Sequence, residues 1–146
     1  MSNHHHNHSN HQHAALALRL TLGTVLLAHG LLKVLVFTVP GTVGFFASLG
    51  LPPAAAYLTI FGELAGGAAL LLGVYSRLVA LLSLPILLGA TWAHFANGWV
   101  FNNTGGGWEY PLLLAVLAAI VAIQGGGSLA LRLPVFDRYL PAPLRA

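Results

Sequence analysis

Four apolar runs, separated by short polar or glycine-rich stretches, set the pattern of this chain. They cover about residues 14–39, 54–73, 78–96 and 108–124. Each is near the roughly 20 residues that an α-helix needs to cross about 30 Å of hydrocarbon. Pro40 closes the first run and Gly125-Gly126-Gly127 the fourth. Pro85 sits inside the third, where a membrane helix tolerates a kink. The pattern predicts an all-α membrane protein, an up-down bundle of four transmembrane helices joined by short loops. Residues 14–130 form that domain. Residues 1–13, MSNHHHNHSNHQH, read as a His-rich polar tail, and residues 131–146 as a short basic tail.

Composition sharpens this picture. The chain has 146 residues, 57% hydrophobic and 6% charged. Soluble domains carry about 25% charged residues, so this chain cannot cover a water-facing surface. Six Lys/Arg stand against three Asp/Glu. In a membrane protein such an excess reports topology rather than nucleic-acid binding. The chain contains no cysteine, which excludes thiolate metal sites, cysteine-ligated clusters and thiol chemistry by this chain alone. His-rich tracts can bind metals, but a solvated, unstructured tail is the expectation for residues 1–13, because such a segment cannot bury a core.

The basic residues also orient the bundle. Arg19, Arg77, Arg132, Arg138 and Arg145 fall at one end, and Lys33 alone falls near the other. The positive-inside rule then places both termini in the cytoplasm and the 40–53 and 97–107 connections outside. Trp92, Trp99 and Trp108 cluster at that outer boundary, where an aromatic belt is expected.

Against this apolar background a few polar residues stand out. Glu63 lies near the middle of the second run, roughly 14 Å below its outer start at 1.5 Å per residue. An ionisable group at that depth is costly unless it faces protein, water or a partner, and it marks a functional site by default. Gly62 and Gly66 form a G-x-x-x-G pattern beside it, and Gly66 and Gly67 follow at three and four positions. Those spacings put small residues on or next to the carboxylate's face, where another helix can approach closely. His29 and Lys33 stand one turn apart in the first helix. His94 falls near the outer end of the third, and Glu109 and Tyr110 open the fourth. Every helix thus contributes an ionisable group from the same depth zone. His29, Glu63, His94 and Glu109 are expected to line one catalytic cavity with Glu63 deepest, and Lys33 and Tyr110 to bind the ligand. No metal site is expected, since His29 and His94 differ in depth. Glu63 can equally be structural glue between helices.

These residues resemble those of the DoxX family of small bacterial membrane proteins. The matching segments are His29-Gly30-Leu31-Leu32-Lys33, Phe45 to Pro52, Gly62-Glu63-Leu64-Ala65-Gly66-Gly67 and on to Arg77, then His94, and Trp108-Glu109-Tyr110-Pro111-Leu112. The family commonly follows its last Gly-rich turn with Ser and an acidic residue; here Ser128-Leu129 is followed by Ala130. The resemblance implies a four-helix protein of the bacterial inner membrane. It also implies an association with quinone-linked redox or oxidative-stress work. Quinone chemistry needs hydrogen-bond donors for two carbonyls and a proton carrier near a bilayer-accessible pocket, which His29, Glu63, His94 and Glu109 can supply. The chain shows no dinucleotide fingerprint, so electron transfer would need a second substrate or other subunits of a membrane complex. Two functions follow as alternatives: a quinone-linked redox subunit, or a non-catalytic accessory subunit of a larger assembly. A homo-oligomer fits either.

Overall fold

The computed structural model describes residues 3–131 and 133–145, with side chains from Ser9 onward; Arg132 lies outside them. The described residues are helical and contain no strand. Five α-helices follow in order: α1 Asn3–Leu35, α2 Val39–Ser48, α3 Pro53–Leu72, α4 Ser76–His94 and α5 Glu109–Gln124. Short 3-10 turns follow α4 and occupy 134–139 and 142–144 of the C-terminal segment.

Three stretches are long and apolar enough to cross a bilayer: Ser9–Leu35, Pro53–Leu72 and Ser76–Asn97. The fourth apolar run forms α5, whose 16 residues reach only about 24 Å at 1.5 Å per residue. α5 nonetheless joins the same core. Leu22 and Leu26 of α1, Leu70 of α3, Ala80 of α4 and Ala118 and Val121 of α5 form one buried cluster.

Two elements differ from the sequence expectation. The His-rich stretch is not an unstructured tail: from Asn3 on it continues α1. A helix propagates at little cost once nucleated, one hydrogen bond per residue, and the apolar run supplies the nucleus. The 40–53 connection is not a plain loop either. It holds α2, with Pro40 in the first turn and Thr38 accepting from the Gly41 N–H at 3.2 Å. Both are standard start signals for a helix.

α1 and α3 pack closely because both present glycine at the contact. A Cβ on Gly67 would lie 2.5 Å from the Leu27 backbone nitrogen and 2.9 Å from the Gly23 carbonyl. Gly67 follows Glu63 by four residues, so the same face carries the carboxylate. Gly62 and Gly66 face elsewhere, toward Ile86 and Val79 of α4. Close approach on the Glu63 face therefore rests on Gly67, and the G-x-x-x-G pair serves α4.

α3 stops at Gly73, which adopts the left-handed conformation with φ +77°. Gly73 packs directly against the guanidinium of Arg19, leaving no room for a side chain. Arg19 donates to the Leu70 and Leu71 carbonyls at 2.8 and 3.3 Å and to Ser128 O at 3.4 Å. Instead of facing a cytoplasmic surface, Arg19 is 1% exposed. The last carbonyls of a helix lack intrahelical partners and carry the negative end of its dipole, and that draws the cation inward. Arg77 does the same more loosely for α5, donating to Gln124 O at 3.3 Å.

Candidate functional site

Glu63 is 5% exposed. Its Oε1 accepts from Lys33 Nζ at 2.8 Å. Lys33 stands one turn after His29 on α1, and the crossing at Gly67 brings that face against α3. The ring of Gly30 contacts continues it, since a Cβ there would meet Leu64 of α3 at 2.9 Å. Oε2 of Glu63 is also buried, and it has no hydrogen-bond partner among the described residues. A carboxylate buried with one oxygen unanswered is expensive.

A cavity of ≈ 260 Å³ opens beside this pair. His29, Lys33, Glu63, His94 and Tyr110 line it, together with apolar side chains such as Leu26 and Leu114. Helices α1, α3, α4 and α5 each contribute. The two histidines are oriented by carbonyls. His29 Nδ1 lies 2.8 Å from Val25 O and His94 Nδ1 lies 3.0 Å from Gly105 O. A carbonyl only accepts, so each Nδ1 carries a proton, and in the neutral ring each Nε2 is left as the acceptor. The rings of His29 and Tyr110 stand 6.1 Å apart at a 32° tilt.

The loop after α4 closes one end of the cavity. Phe101, Gly106 and Gly107 reach the lining. Asn97 donates from Nδ2 to the Gly105 and Gly106 carbonyls, both at 3.0 Å, and Asn103 donates back to Asn97 O at 2.9 Å. Trp99 packs edge-on against Trp108 at 4.4 Å, and Phe95 stacks on Trp108 at 5.5 Å. Gly107 runs directly under the Trp99 and Val100 carbonyls, where no Cβ fits.

Five of the six candidate residues thus meet at one cavity. Glu109 does not line it. Its carboxylate accepts from the Phe101 N–H at 2.8 Å and borders a neighbouring apolar groove. The reason is local: Glu109 is the first residue of α5, so its side chain is free to reach back over the incoming loop. Sequence reasoning missed Phe101 and the glycines 106 and 107. Their only signal was the glycine run before Trp108, which marks a place where backbone approaches closely.

Residues 14–96 match the DoxX family, and this chain belongs to it. It is a multi-pass membrane protein of that family, with α1 from residue 14 on and all of α2 to α4 inside the matched region and α5 beyond it. It is also similar to a Bacillus subtilis (strain 168) protein named "Putative oxidoreductase CatD". The two are 33% identical over 116 residues, which make up 80% of this chain and 82% of that protein. No solved structure matches.

Proposed function

We propose that this protein is a membrane subunit in quinone-linked redox chemistry, and that the cavity between α1, α3, α4 and α5 is its site. The observation that carries this reading is the unpartnered Oε2 of Glu63 at a cavity wall, with Lys33 on the other oxygen. A ligand bearing a hydroxyl would satisfy that oxygen. The size is right for a ring: an apolar cavity of about 150 Å³ holds benzene, so ≈ 260 Å³ admits a substituted one. A bound quinone would supply two-electron, two-proton chemistry. The chain's residues would hold and move the protons. Lys33 and Tyr110 offer donors to a carbonyl, and Glu63 Oε2 and the Nε2 atoms of His29 and His94 accept from a hydroxyl. Glu109 acts at one remove, as a positioning residue that holds Phe101. The name of the Bacillus subtilis relative agrees with redox work. The chain has no cysteine and no dinucleotide fingerprint, so the other half of the electron transfer belongs to a second substrate or to partner subunits.

In this reading α5 completes an up-down bundle of four spanning helices. The cavity lies in the outer half of the inner membrane and both termini lie in the cytoplasm.

Glu63→Gln tests the assignment. It keeps the shape and removes the charge. Membranes containing the variant should hold folded protein, yet lose quinone-dependent electron transfer by about 10²-fold or more, the usual size of a lost proton-transfer group. Glu63→Leu should lose that activity and stability together. Full activity in Glu63→Gln would show that the carboxylate is structural glue and would favour the accessory-subunit reading instead.

A further inference from the structure

α5 sorts its first two turns between two surfaces. Tyr110, Pro111 and Leu114 face the cavity. Glu109, Leu112, Leu113 and Val116 face a second, open groove of ≈ 480 Å³, completed by Trp99, Phe101 and Tyr110. The offsets 0, 3, 4 and 7 from Glu109 are one helical stripe, and the cavity set is the next stripe round. Phe101 and Tyr110 line both surfaces, so the two compartments meet along one edge. The backbone of Phe101 is fixed in place by Glu109. Tyr110 is 40% exposed, and its ring stands near His29 at the cavity.

The two compartments differ in character. The cavity holds most of the ionisable groups: a partly buried ion pair, an unanswered carboxylate oxygen and two imidazoles. The groove is walled mainly by aliphatic and aromatic side chains, with Glu109, engaged by the Phe101 N–H, as its one carboxylate. A polar compartment that joins an apolar one across a shared edge fits one kind of ligand, a compact polar head with an apolar chain. We propose that the site takes a tailed, membrane-soluble ligand, with its ring in the cavity and its apolar chain leaving between Phe101 and Tyr110 along the α5 groove. The edge that the two compartments share at Phe101 and Tyr110 commits the groove to the ligand's own tail. This inference rests on the quinone-linked reading and adds to it the demand for a tail.

The test compares two probes that share a ring: decylubiquinone, with a ten-carbon chain, and ubiquinone-0, with none. Binding to the full chain in nanodiscs is measured against each probe's concentration in the membrane phase, which removes simple partitioning. The decyl compound should bind about tenfold tighter. Val116→Trp fills the groove and should bring the ratio of the two affinities close to one. Leu113, 62% exposed, accommodates a larger side chain, so Leu113→Trp serves if Val116→Trp does not fold. The ratio is internal to each variant, and general damage does not move it. Equal affinities in the unmodified protein, or a tenfold ratio that survives both variants, overturn the tail groove and leave the quinone-linked reading standing. Binding of neither probe overturns that reading and the tail with it.

Discussion

Arg19 is held at the bundle interior with three carbonyl oxygens around it. Its planar fork can serve several acceptors at once, which the point charge of a lysine cannot. Arg19→Leu should therefore lower the thermal midpoint in detergent markedly. Each lost hydrogen bond from a charged group is worth about 1.5–3 kcal/mol. Arg19→Lys should recover only part of the loss. A midpoint unchanged in Arg19→Leu would mean that the α3 terminus is satisfied without this residue. The same residue shows where a sequence reading stops. Its position near one end of α1 was legible, and it entered the charge asymmetry on that basis. Its burial was not, because the carbonyls that draw it in are 51, 52 and 109 positions away. Glu63 behaves differently. Its need for a partner follows from its depth alone, and Lys33 was the nearest positive charge at the right height.

The crossing of α1 and α3 is the element on which the site depends. Gly67→Ala places a methyl against the α1 backbone, which cannot move aside as a side chain can. Overpacking of this kind costs about 1–3 kcal/mol. It should also separate Lys33 from Glu63, so ligand binding should fall along with the thermal midpoint. Gly66→Ala is the control. Its methyl would meet only Val79 Cγ1, at 3.5 Å, an ordinary contact, so its midpoint should stay level or rise slightly with the better helix former. Equal effects of the two substitutions would remove the special status of the α1–α3 contact. That glycines gather around Glu63 was visible from spacing. Which glycine serves which helix was not, because 100° per residue fixes angles around one helix and says nothing of the neighbour at each angle. Glu109 was misplaced for a related reason. Its side chain turned back to the loop, and loop paths are set by local hydrogen bonds that carry no periodic signal.

At the scale of the whole molecule, orientation is the property to test. Arg77, Arg138 and Arg145 still mark one end of the bundle even with Arg19 drawn inside. The C-terminal segment stays at that end: Tyr75, at the start of α4, contacts Leu133 O and Asp137, and accepts from the Phe136 N–H at 3.1 Å. A reporter that is active only outside the cytoplasm should stay silent when fused to the C-terminus and become active when inserted in the 97–107 loop. Activity at the C-terminus would invert the orientation. The cavity would then open to the cytoplasm.

By itself the sequence determined the class: an all-helical membrane chain, because hydrophobic run length against bilayer thickness is a one-dimensional property. It also determined which residues were worth following, because a carboxylate or a histidine in an apolar run carries its cost wherever the run folds. Tertiary structure decided the rest. It chose Gly67 over Gly66 as the α1 contact, turned Arg19 from a topological marker into a helix cap, and moved Glu109 from the cavity to the neighbouring groove. It also set Phe101 and Tyr110 between a polar compartment and an apolar one. Each of these depends on which surfaces meet, and a meeting of surfaces belongs to pairs of helices and loops, which no single stretch of sequence contains.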